Sequence, residues 1–231
     1  MITNARSLAV LTIVFGVANS ALALDVTDLD RRTHTLRLQF EELQSKPDKA
    51  IPAEILRQAR GLILLDRTKA GFLFAYQGGG GVALMRDPKS DAWGPVAFLG
   101  ANEASLGFQI GGEHRFVAIL LMNTNATRLL TEPSFEFGGE ARGTAANSSA
   151  GAEGTVASLE RPILVYDDRK GLYGGAAIKG GAIAPDDRAN HMYYGRFLTM
   201  KEILLERKVE PTEAATALAN SITARSKMAT K

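Results

Sequence analysis

The sequence predicts an α+β protein: an antiparallel β-sandwich or barrel-like core with N-terminal and C-terminal flanking helices. Three features predict it. Apolar residues recur at steps of three and four over residues 25–45, short apolar runs punctuated by glycine fill residues 61 to 184, and helix-start signals return after Thr199. Glycine supplies 23 of 231 residues, more than the usual ~7%, as a turn-rich β protein needs.

From Asp25 to Ser45, Val26, Leu29, Leu36, Phe40 and Leu43, with Thr33 between them, form one stripe of an amphipathic helix. Pro47 stops it, since proline cannot continue the hydrogen-bond ladder. A short helix over Pro52 to Arg60 follows, with Pro52 in its first turn and Gly61 at its end. The period then changes to that of strands: Leu62–Leu65, Gly71–Tyr76, and Val82–Met85 after the Gly78–Gly81 run. Leu106, Phe108 and Ile110 alternate with Gly107 and Gln109, whereas Phe116–Met122 is apolar throughout, as a central strand buried on both faces would be. A short helix from Thr124 to Leu130 precedes the Phe135/Phe137 alternation. Residues 143–154 are small and polar, a loop within the β region, and Ile163–Tyr166 and Leu172–Ala184 complete that region. Thr199 and Glu202 have capping-box spacing ahead of Ile203, Leu204 and Leu205. Pro211 opens a last helix carrying Ala214, Ala215, Leu218 and Ile222, with Arg225 and Lys227 near the negative end of its dipole.

Composition narrows the function. With 27 Lys+Arg against 25 Asp+Glu, the net charge of +2 gives no electrostatic footprint for nucleic acid. No cysteine is present, which excludes disulfides, thiolate metal sites and cysteine nucleophiles. Arg6, the uncharged run Leu8–Ala18 and the small-residue site Ala21-Leu22-Ala23 have the three-part form of a secretory signal peptide. Eleven such residues are too few to span a bilayer, which takes about twenty. The expected organisation is therefore a signal peptide over residues 1–23 and a single domain over residues 24–231, exported and periplasmic or secreted.

No P-loop, dinucleotide-binding, zinc-protease or nucleophile-elbow motif occurs. His34, His114 and His191 are scattered, and the Asp167-Asp168 and Asp186-Asp187 pairs lack calcium-loop spacing, so turn roles are expected for the acids. A hydrolase built on His191 with Asp186 or Asp187 lacks a visible activated nucleophile. Gly78–Gly81 has no following Lys-Ser to complete a phosphate cradle and is expected in a hairpin or bulge. The 25–45 helix either lies on a membrane or closes over the sheet; its acidic polar face favours the sheet. No catalytic residue, metal site or cofactor is expected.

Six segments occur in order: Gln58-Ala59-Arg60-Gly61-Leu62-Ile63, Lys69-Ala70-Gly71-Phe72, Gly79-Gly80-Gly81-Val82, Trp93-Gly94-Pro95, Gly107-Phe108-Gln109-Ile110-Gly111 and Leu120-Leu121-Met122-Asn123. Gly171-Leu172-Tyr173-Gly174-Gly175 and Asn190-His191-Met192-Tyr193-Tyr194-Gly195 continue the series. As a set, covering residues 26–222, they make the chain resemble the SYLF domain family. That resemblance implies a lipid-binding domain, with phosphoinositide and actin binding in eukaryotic members that carry further signalling domains; this chain is similar to the stand-alone, exported bacterial kind. It implies no catalytic residues. The expected function is thus a non-enzymatic, lipid-binding or membrane-associating protein of the cell envelope, with phospholipid or a membrane surface as partner. The alternative is an envelope protein–protein interaction module without lipid dependence. Because they lie at or beside predicted turns, Lys69, Phe72, Arg86, Lys170 and Lys179 are the lipid-binding candidates, on a rim where apolar contact and phosphate attraction add.

Overall fold

The computed structural model describes residues 25–66, 79–101, 116–133, 135–137, 163–168, 171–173 and 181–228. The expected signal peptide, the expected strands at 71–76 and 106–110, and the loop at 143–154 lie outside these residues.

Helix α1 (Val26–Gln44) starts where Asp25 and Asp28 reciprocally cap each other's backbone amides. Its inward residues Leu29, Thr33, Leu36, Phe40 and Leu43 are almost fully buried, so the apolar stripe closes over the sheet. Helix α2 (Ala53–Gln58) leads into β1 (Gly61–Asp66), followed by β2 (Gly79–Met85), β3 (Ala97–Ala101) and β4 (Phe116–Leu121). A turn of helix, α3 (Thr124–Thr127), continues as a 3-10 turn over Arg128–Thr131. Then come β5 (Phe135–Phe137), β6 (Ile163–Asp167), β7 (Gly171–Tyr173) and β8 (Gly181–Pro185). Helices α4 (Asp187–Tyr194), α5 (Met200–Leu204) and α6 (Glu213–Ser226) end the described chain.

The α+β class and the flanking helices are as expected. The strands form one eight-stranded sheet, ordered β5-β8-β3-β2-β1-β4-β6-β7, in which each pairing is antiparallel. Among the described residues its ends are β5 and β7, and helices cover both faces. Strand alternation explains this. On one face Leu62, Leu64, Val82, Leu84 and Phe98 pack with α1, α2, α4 and α6. On the other, Ile63, Leu65, Ala83, Leu99 and Ile119 pack with α3, the 3-10 turn and α5. The continuous apolar run in β4 is buried along its whole length between β1 and β6, the central position its sequence predicts. Each fully buried Leu, Ile or Phe contributes roughly 1.5–3 kcal/mol, so the double-sided core dominates stability.

The described part of the Gly run lies in one arm of the antiparallel β1–β2 pair, and Gly78 lies outside the described residues. Gly79, Gly80 and Gly81 open strand β2, which pairs with β1 and β3, and at Gly80 and Gly81 a side chain would crowd its neighbours. A Cβ on Gly81 would lie 2.4 Å from the Leu64 carbonyl oxygen, and one on Gly80 would lie 2.9 Å from the Arg32 guanidinium carbon. No helix among the described residues is long and apolar enough to cross a membrane.

Candidate binding surface

The segment from Asp186 to Thr199 joins the sheet to α5, and it holds the Asn190–Gly195 motif. Asp186 caps α4 by accepting from the Ala189 amide at 3.0 Å, and Gly195 ends the helix in the left-handed region at φ 67°. The acidic pair thus starts a helix rather than forming an isolated turn. The Asp186 carboxylate also faces Arg32 at 3.8 Å, so it is engaged structurally.

The inner side of α4 is tied down by polar contacts. The buried Asn190 side chain accepts from the Phe98 amide at 2.7 Å and donates to the Phe98 carbonyl at 3.1 Å. Tyr193 donates to Asp30 of α1 at 2.6 Å and shares a 2.6 Å hydrogen bond with Thr212, the cap of α6. Burial, reinforced by the Asp30 carboxylate, raises the Tyr193 hydroxyl above its ordinary pKa and keeps it a donor. Tyr194 donates to the Val96 carbonyl. Three elements far apart in the chain, α1, β3 and α6, therefore hold this one helix.

Its outer side has a different character. Phe197, two residues beyond the helix cap, is 83% exposed, the most exposed large apolar side chain among the described residues. It is not a loose side chain: its ring stacks parallel on His191, centroids 3.7 Å apart and planes 5° apart. The turn bearing it is fixed on the far side, where Thr199 and Glu202 form the expected capping box of α5 and Arg196 donates to the Lys208 carbonyl. Arg188 lies three residues before His191, on the same side of α4. Both Arg188 and Arg196 are exposed, and neither forms an ion pair among the described residues. By contrast Lys201 and Lys208 are neutralised by Glu202 and Glu206. The result is an aromatic outcrop with two uncompensated guanidinium groups beside it.

The sequence-based candidates fare differently. Lys69, Phe72, Lys170 and Lys179 lie outside the described residues. Arg86 is not on a rim: it is only 7% exposed, and the structure corrects that placement. Its Nε donates to the Ala59 carbonyl at 3.1 Å, its Nη2 to the Leu56 carbonyl at 2.9 Å, and its Nη1 to Asp91 at 3.1 Å. The guanidinium lies 4.6 Å from the centre of the Trp93 ring. Burial lowers its pKa, with Asp91 opposing, as for a cation removed from water to join α2 to the β2–β3 connection. The Trp93-Gly94-Pro95 motif belongs to the same joint: Gly94 leaves room for Arg207, whose Nη2 reaches the Met85 and Ala92 carbonyls.

No group of three or more His, Cys, Asp or Glu side chains able to hold a metal occurs among the described residues. His34 contacts Arg37 at 3.2 Å, and His114 lies outside the described residues.

Comparison with known proteins gives a family match over residues 102–225, to the model described as Ysc84, Las17-binding protein actin regulator. Among relatives, SH3 domain-containing YSC84-like protein 1 of Xenopus laevis is 28% identical over 201 residues, 85% of this chain and 60% of its own. LAS seventeen-binding protein 3 of Saccharomyces cerevisiae is 31% identical over 180 residues, 74% of this chain and 38% of its own. The human SH3 domain-containing YSC84-like protein 1 is 28% identical over 180 residues, 76% of this chain and 52% of its own. The chain thus spans at most 60% of the length of these relatives.

Proposed function

The chain belongs to the Ysc84 family, the SYLF domains, and from that premise we propose that it is a non-enzymatic module that associates with phospholipid membrane surfaces, exported to the cell envelope. The observation that carries this reading is the outcrop at residues 188–197, where an exposed aromatic ring stacks on His191 near two arginines that form no ion pair among the described residues. An aromatic ring partitions favourably to the bilayer interface, and nearby cations gain from anionic headgroups. Neither contribution is large alone, so association is reversible and depends on lipid charge. Asn190 and Tyr193 of the motif set, and Arg86 outside it, hold elements of the scaffold together.

The test is co-sedimentation of the purified protein with neutral and anionic vesicles at low and high salt. Binding to anionic vesicles supports the reading; failure to bind vesicles of any headgroup counts against it. A second reading is a protein-docking module without lipid dependence, favoured by the relatives' names, which describe Las17 binding. A reproducible crosslink to a protein, unaffected by lipid, would favour it.

A further inference from the structure

Resting on the membrane reading above, we propose that the outcrop of Phe197, His191, Arg188 and Arg196 is the membrane contact itself, and that its ligand is an anionic bilayer surface. Phe197 enters the interface while the two guanidinium groups lie at headgroup level.

Four features of the molecule support this assignment. Exposing 83% of a phenylalanine leaves apolar area in water that a neighbouring surface would cover. The parallel stack on His191 fixes the ring before contact, so little side-chain entropy is lost on insertion. Arg188 and Arg196 carry charge that no carboxylate among the described residues neutralises. The nearest acid in sequence, Asp187, stands about 100° round α4 from Arg188. Finally, α4 is bound to α1, β3 and α6 on its inner side, so the outcrop is carried by the body of the fold. A single ring exposed to 83% with two cations near it matches an interface that takes apolar insertion and headgroup attraction together.

The experiment compares wild type, Phe197→Ser and the double variant Arg188→Ser/Arg196→Ser by sedimentation with phosphatidylcholine vesicles, with and without phosphatidylglycerol. Folding is checked by circular dichroism; Phe197→Leu serves as a second variant that keeps an apolar side chain. Phe197→Ser is expected to weaken binding about tenfold at both low and high salt. The double variant is expected to lose about fivefold per arginine at low salt, and nothing at high salt. If wild type binds and all variants bind as it does, this inference is overturned while the membrane reading stands. If wild type binds no vesicle, the membrane reading itself fails. A crosslink from residue 197 to a protein that persists without lipid would also overturn the inference, in favour of a protein partner.

Discussion

Asn190 and Phe98 form a closed pair: the side-chain amide of one accepts from and donates to the backbone of the other, at 2.7 and 3.1 Å, in a fully buried setting. Asn190 thereby supplies, from a helix, the acceptor for the Phe98 amide at that point of β3, while the Phe98 carbonyl accepts from the Asp186 amide as well. This fastens α4 and, with it, the surface carrying His191 and Phe197. Asn190→Ala leaves the buried Phe98 amide without an acceptor and is expected to destabilise by about 2–4 kcal/mol. Asn190→Asp is expected to be at least as harmful, since it sets a carboxylate oxygen against the Phe98 carbonyl. Urea unfolding measures both; wild-type midpoints for either would contradict this role.

Neighbouring glycines separate in their tolerance. At Gly81 an added Cβ meets the Leu64 carbonyl oxygen at 2.4 Å, and backbone cannot move aside cheaply. Gly81→Ala is expected to cost about 3 kcal/mol. At Gly80 the obstacle is the end of the flexible Arg32 side chain, so Gly80→Ala is expected to stay within about 1 kcal/mol of wild type. Thermal melts of the two variants check the contrast, which equal losses would contradict.

Arg86 is expected to matter for stability and not for lipid. Removing its guanidinium in Arg86→Met strands the Leu56 and Ala59 carbonyls, at a cost of about 2–4 kcal/mol. The folded variant should bind vesicles with the salt dependence of wild type. A weaker salt dependence in Arg86→Met would restore it to the lipid-contact surface.

The capping box of α5 makes the stability pH-dependent. A hydrogen bond from Lys208, then those from the Thr199 amide and hydroxyl, bring the Glu202 carboxyl from 4.5 to about 2. A carboxyl with a depressed folded-state pKa adds stability above its unfolded value, and that addition is lost as the pH falls from 4.5 towards 2. Glu202→Gln should therefore melt below wild type at neutral pH, with a gap that narrows through this acidic window. A gap independent of pH would contradict the assignment.

The sequence reveals elements whose inward faces are apolar and hides those held by polar groups. Helix α1 was legible because Leu29, Leu36, Phe40 and Leu43 repeat at helical spacing, and β4 because a short, continuous apolar run rich in Val, Ile and Phe suits a strand buried on both faces. Helix α4 was not legible: two of its three buried residues are Asn190 and Tyr193, so no apolar period announces it. The available signal was the bracket of Asp186 as cap and Gly195 as terminator. Arg86 misled for a related reason, since arginine beside a turn is ordinarily solvated and its burial depends on carbonyls from α2, about thirty residues away in the chain. Exposure of Phe197 is a tertiary property; nothing local distinguishes it from Leu198, which packs against the core.

The most direct measurement of the central claim is the fluorescence of Phe197→Trp as anionic vesicles are added. Trp93, the one native tryptophan, is buried and provides a constant background. The account predicts a blue shift and quenching by brominated lipid in the variant, with neither in wild type. Vesicle-bound protein whose residue-197 emission stays that of a water-exposed indole would contradict it.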